Sequence, residues 1–345
     1  MNLTLARPTA PPHGESAPAP RTHVVLRQRR REVRRGLVVT GILAVACIGA
    51  FALWAPPAAW QIIAPLRIPR LIGLVVVSFA LPTATVVFQQ VTRNRILSPS
   101  VMGFDAMYSL VATGLVFVAG SAAVNRIPSL GLFLLQAGVQ TLLALGLFAL
   151  VLTRTRASIH LLVLVGIVIG TMLRSFTAML ALVMDPNEYL SVQDHTMASF
   201  TVIDSRSLVV TCVVTLASLA IIWWRAPVWD VLALGPDLAI SLGLNYRREC
   251  RGALVISSVL VACATALVGP LMFFGLLVVN IAVFALSSTR LRTLLLGSCL
   301  IGVIVLVGGQ ALLEHAFSHA TVLPVILELV GGIVLLTMIV KESRR

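Results

Sequence analysis

Charge is what this sequence has least of. Only 11% of its 345 residues are Asp, Glu, Lys or Arg, whereas a globular domain carries roughly 25% to cover its surface, so an ordinary water-soluble protein is excluded. Lysine is almost missing, with Lys341 the single one. A P-loop sets a lysine on the phosphates after a glycine-rich turn, so this chain does not power itself by that chemistry. There is no GxSxG elbow, no HExxH helix and no close cysteine pair. Cys47, Cys212, Cys250, Cys263 and Cys299 are scattered, and four of them lie in apolar runs, which argues against a disulfide or a metal site. His315 and His319 have helical metal-ligand spacing but lack a third ligand, so they read as an ordinary loop edge rather than a metal site. No catalytic set, cofactor site or metal site is expected.

What the chain has instead is apolar length. Apolar residues make up 58% and mean hydropathy is +0.99. A bilayer core of about 30 Å needs about 20 apolar residues as helix. Counting such runs predicts an all-α integral membrane protein with about ten spans: Gly36–Trp54, Leu71–Val91, Val101–Ala119, Ser129–Leu152, Ile159–Met184, Leu208–Trp224, Leu294–Leu313, Val322–Val340, and two within Ala253–Leu286, interrupted at Gly269-Pro270. Around this 36–340 body, residues 1–35, rich in Arg and Pro with no apolar core, read as a disordered basic tail. Residues 341–345 form a short basic end.

The formal charge of +13 does not point to nucleic acid, because the arginines cluster between apolar runs without interleaved aromatics. It sets topology instead. With an even number of spans both ends are cytoplasmic. All basic residues then lie inside except Arg67, Arg70, Arg126, Arg206 and the intramembrane Arg174. Two connections exceed a turn: 185–206 outside, and 226–251 inside. The inner one, with Val231, Leu232, Leu234, Leu238, Ile240, Leu242 and Leu244, is too apolar to stay in water and needs a cover.

Within the spans, Arg174 is the one deep charge, and insertion of an isolated Arg costs about 2.5–3.5 kcal/mol. Glu328 is the one acid expected at similar depth. Either the two approach each other or line a path, or Arg174 snorkels to the outer interface. Gly166 and Gly170 form a GxxxG on the same helix, which fits internal packing or a gating hinge.

Three segments carry a resemblance. Arg67-Ile68-Pro69-Arg70, the stretch QQVTRNRILSPSVMG from Gln89 to Gly103 with Asn94 and Pro99, and GPDLAISLG from Gly235 to Gly243 occur in this order across roughly residues 36–340. Together they resemble the FecCD-type permease subunits of ABC importers for ferric siderophores, haem and cobalamin. Departures at Arg95 and Val279-Asn280, with MDPNEY, QDHTMASF and FFGLLVVN, look like the subgroup that imports ferric catecholate siderophores.

The resemblance implies a type II importer architecture in a bacterial cytoplasmic membrane. It also implies two ATPase subunits, a second permease chain, identical or related, and an extracytoplasmic binding protein. Gly235, Asp237, Ala239, Ser241, Leu242 and Gly243 would form the coupling segment against an ATPase, with Asp237 capping its short helix. Arg67 and Arg70 would dock the binding protein, although they also suit a simple interfacial anchor. The docking Arg expected before the last helix is replaced by Glu314, His315 and His319. An ion-coupled secondary transporter of a small metabolite is the alternative, disfavoured by the scarcity of intramembrane acids.

Overall fold

A computed structural model describes residues 21–53, 60–154, 159–201, 203–286, 288–316 and 323–343. Residues 1–20 of the expected tail, Arg156, His319, and Arg344 and Arg345 lie outside them. Fourteen α-helices occur in this order: α1 Arg21–Leu53, α2 Trp60–Thr92, α3 Phe104–Ala119, α4 Ser121–Val124, α5 Ser129–Arg154, α6 Ile159–Val183, α7 Pro186–Thr196, α8 Ser205–Leu232, α9 Pro236–Ser241, α10 Tyr246–Val268, α11 Phe274–Leu286, α12 Leu291–Val303, α13 Gly309–Ala316 and α14 Leu323–Ser343. Seven helical stretches are long and apolar enough to cross a bilayer, and three shorter apolar helices accompany them: Phe104–Ala119, Phe274–Leu286 and Leu323–Val334.

The helix α2 is the axis of the bundle. Its most apolar window is 72% buried, against 11% for the windows of α1 and α6. Small residues let neighbours close on it: a methyl at Gly275 would lie 2.2 Å from Thr85 Oγ1, and one at Gly302 would lie 2.7 Å from the Ser78 carbonyl. Ser257 of α10 donates to the Ala84 carbonyl at 3.0 Å, which supplies a polar tie where backbones meet. Leu74, Val77, Phe88, Leu254, Leu260, Phe274 and Val279 fill the space between. The exposed apolar faces of α1 and α6 call for lipid or another subunit as their solvent.

Boundaries differ from those expected where polar residues extend helices beyond their apolar cores. Residues 21–35, expected to be disordered, begin α1. α2 starts well before Leu71 and takes Arg67 and Arg70 into its early turns, with Pro65 and Pro69. α8 continues through Pro227 to Leu232, and α10 begins at Tyr246, so much of 226–251 is helix rather than loop. The connection 185–206 holds α7, capped by Asp185, which accepts from Asn187 N at 2.9 Å. The run Ala253–Leu286 breaks where Gly269-Pro270 predicts: Gly269, at φ 89°, caps α10. Between α12 and α13, Ile304–Gly308 forms a π-helical turn.

Candidate functional site

At one end of the bundle, α9 is a single short helix presented by two long ones. Gly235, at φ 104°, turns the chain into it, and Pro236 occupies its first position, where a missing N–H costs nothing. Asp237 therefore lies within the first turn and is not the cap, and no side chain caps this helix. The far end closes on Gly243, at φ 82°: Gly243 N donates to Ile240 O at 2.9 Å and Leu244 N to Ala239 O at 3.0 Å. This is the left-handed stop that glycine permits without a Cβ penalty. Ser241 turns its hydroxyl back to the Leu238 carbonyl at 2.9 Å. Ala239 is fully buried against the bundle, whereas Leu234, Leu238, Ile240 and Leu242 are each more than half exposed. The result is a fixed knuckle with an apolar crown.

The frame beneath it is polar and tied. Glu249 of α10 pairs with Arg225 of α8 and accepts from Trp229 Nε1 at 3.1 Å. Asp230 accepts from Leu291 N at 2.8 Å and so caps α12 from a neighbouring helix. Arg93, Arg95, Asp230 and Arg290 line a cavity of about 460 Å³ beside Leu234.

Arg67 and Arg70 lie at the opposite end, and both are engaged. Arg67 Nη2 and Arg70 Nη1 stand 3.8 and 3.6 Å from the Glu314 carboxylate. Arg67 also donates to Phe51 O at 3.2 Å, and Arg70 Nε donates to Thr201 O at 3.0 Å. Glu314 accepts from Gln310 as well, at 3.1 Å. The acid that replaces a docking arginine in the sequence is thus the internal counter-ion of the other two. Beyond it at this end, a cavity of about 630 Å³ opens between α3, α5, α8 and α10, lined with Tyr108, Asn125, Gln136, Ser199, Asp204 and Ser207.

Midway between the ends, the GxxxG of α6 receives not a helix but a turn. A methyl at Gly166 would meet Met102 Cε at 2.5 Å, and one at Gly170 would meet Gly103 Cα at 2.9 Å. The turn spans Ser100–Met102, follows Pro99 and ends on Gly103 at φ 97°. Asn94 begins the segment, its Oδ1 accepting from Ile96 N at 2.9 Å.

One turn beyond Gly170 is Arg174, exposed on α6. Sequence reasoning missed its neighbour. Asp105, 1% exposed in the first turn of α3, lies in electrostatic range of both Arg174 and Glu328, with Ser100 nearby. Neither carboxyl oxygen of Asp105 makes a hydrogen bond of good geometry. Glu328 is therefore not the lone acid within the spans, and Asp105 was legible as an acid inside the apolar run Val101–Ala119. The three ion pairs among the described residues are Arg67–Glu314, Arg70–Glu314 and Arg225–Glu249. Arg174 belongs to none of them, so the expected approach of Arg174 to Glu328 is not among these ion pairs.

The profile of the FecCD transport family matches residues 27–341. The chain belongs to the FecCD transport family. It is 36% identical over 315 residues, 91% of this chain and 99% of the relative, to the petrobactin import system permease protein YclO of Bacillus subtilis (strain 168). It is 30% identical to the petrobactin import system permease protein FatC of Bacillus anthracis, over 80% of this chain and 78% of that protein. The ferric enterobactin permease FepG of Escherichia coli (strain K12) is 26% identical, over 84% of this chain and 86% of that protein. Among solved structures, a metal-chelate-type ABC transporter in an inward-facing conformation aligns with TM-score 0.76 at 18% identity, covering 90% of this chain and 99% of that one. At that identity the likeness establishes the fold. This family member is thus a multi-pass transport permease and not an enzyme.

Proposed function

We propose that this permease carries a ferric siderophore of catecholate type across a bacterial cytoplasmic membrane, driven by ATP hydrolysis on separate subunits. Ten spans would place both ends of the chain and the α9 knuckle in the cytoplasm, following the arginine distribution. Two ATPase subunits would take the knuckles of this chain and of a second permease. An extracytoplasmic binding protein would deliver the chelate at the end bearing Arg67 and Arg70.

The observation that carries this reading is α9. Four large apolar side chains are held out on and beside a short helix flanked by the positive-φ glycines Gly235 and Gly243, at the end of the bundle where Arg93, Arg95 and Arg290 gather. A monomer would not keep such a patch in water, and a groove on a partner subunit is the cover that makes it functional. Catecholate cargo is supported by the relatives whose names specify petrobactin and enterobactin. The barely buried faces of α1 and α6 support a second permease, since an exposed Arg174 at membrane depth is costly against lipid.

The test is uptake into proteoliposomes holding the permease pair, the ATPase and the binding protein, with iron-55 as ferric tricatecholate and as ferric trihydroxamate. The expected result is ATP-dependent accumulation of the tricatecholate. Accumulation without the ATPase subunits overturns the importer reading, and a preference for trihydroxamate overturns the substrate class.

A further inference from the structure

Arg93 follows α2 with φ 49°, a left-handed conformation that a side-chain-bearing residue adopts only when its surroundings hold it there. What holds it is visible. A methyl placed on Gly235 would stand 2.7 Å from Arg93 Nη1, so the guanidinium abuts the turn into α9. Arg93 is also within electrostatic range of Tyr246 and Cys250 at the start of α10. One side chain therefore abuts the entry of α9 and lies within electrostatic range of the helix that follows it.

Arg93, Asn94 and Arg95 are exposed, and after Ile96 the chain turns inward. Leu97, Ser98 and Pro99 are buried, and Met102 is fully enclosed. The segment is tied near both ends: Gln89 Nε2 donates to Arg95 O at 2.8 Å, Asn94 makes its own turn, and Met102 N and Gly103 N close back on Pro99 O and Ser100 O at 3.0 and 3.1 Å. It ends in the glycine notch of α6, where backbone approaches backbone too closely to admit an added carbon at Gly103 or Gly170 without a shift. Asp105 and Arg174 come next on either side of that notch.

We propose that residues 93–103 form a strut that transmits displacement of α9 to α6, with Arg93 as the positioning residue at one end and Met102-Gly103 as the bearing at the other. This rests on the reading of α9 as the ATPase coupling segment. A braced segment wedged between two close contacts has no slack, so movement at Gly235 either shifts α6 or breaks packing. Close-packed interiors shift between discrete arrangements rather than yield continuously. Shifting α6 moves Arg174 relative to Asp105, which changes the charge presented at mid-depth.

The experiment measures chelate taken up per ATP hydrolysed in the proteoliposomes described above. Arg93→Ala should lower that ratio at least tenfold while the ATPase still co-purifies, and Arg93→Lys should restore most of it. Gly170→Ala should lower it from the other end. The double variant should be no worse than the more severe single, because both break one path. A spin label at exposed Met172 of α6, in a chain whose native cysteines are replaced, should shift on ATP addition in the parent and stay still with Arg93→Ala. That arm decides the matter even where Gly170→Ala fails to reach the membrane.

An unchanged ratio in Arg93→Ala overturns the strut. So does loss of ATPase association, a multiplicative double variant, or an undiminished label shift. Absence of ATP-driven uptake by the parent complex strikes the importer reading instead, which keeps the two failures apart.

Discussion

Glu314 shows how one residue changes the meaning of two others. Arg67 and Arg70 occupy motif positions, yet in the folded chain each is spent partly on this carboxylate, whose side chain is only 7% exposed. A docking partner's acid must compete with it for the guanidinium forks, where charge-assisted pairing is strongest. Glu314→Gln keeps the shape and the Gln310 contact and removes the charge, so the binding protein should associate several-fold more tightly and with steeper salt dependence. Surface plasmon resonance at two ionic strengths reads both. At Asp204, the backbone N–H and hydroxyl of Ser207 donate at 2.9 and 2.8 Å and hold the carboxyl below the usual carboxylate range. A lowered folded-state value means that its stabilisation is present above the unfolded carboxylate value of about 3.9 and fades as pH falls through the folded one. Asp204→Ala should cost about 1 kcal/mol as a lost helix cap. In detergent melts, the gap in Tm between parent and variant should be full at pH 7 and close under strongly acid conditions.

At the scale of elements, the turn ending at Gly103 is defined by what cannot be added to it. Gly103 combines φ 97° with a 2.6 Å approach of its would-be methyl to Gly170 Cα. Gly103→Ala is expected to destabilise by roughly 1–3 kcal/mol through strain and overpacking, seen as a lowered Tm of the purified permease. α9 is the reverse case, an element whose outward face makes no use of its own apolar groups. Leu242→Asp adds a charge where 62% of the leucine is exposed, so it should leave folding and Tm nearly unchanged while abolishing co-purification of the ATPase. A normal pull-down from that variant would show that the knuckle is not the coupling surface.

At the scale of the whole molecule, the arrangement is a buried axis, α2, wrapped by helices of decreasing burial out to α1 and α6. Such a layout stabilises the centre and leaves the periphery to be covered by lipid and other chains. With both α9 and the chain ends expected on the cytoplasmic side, a single cysteine at Leu238 should react with an impermeant maleimide only in inside-out vesicles, and one at Arg126 only in right-side-out vesicles. Labelling of Leu238→Cys from the exterior would reverse the assigned orientation.

Apolar runs, the break at Gly269-Pro270 and the exposed knuckle were legible because each follows from local chemistry: helices need apolar length to enter lipid, Gly-Pro interrupts them, and large aliphatic side chains in a connection demand a cover. Helix starts were not, because polar turns such as those carrying Arg67 and Arg247 are extended by packing rather than by hydropathy. Nor did the sequence reveal that Gly166 and Gly170 seat a turn, that Glu314 neutralises Arg67 and Arg70, or that Asp105 lies near Arg174. Those facts join residues tens to hundreds of positions apart. Composition and spacing along the chain determine the solvent each segment accepts, but only the closing of helices around α2 decides which of the few polar groups share a neighbourhood.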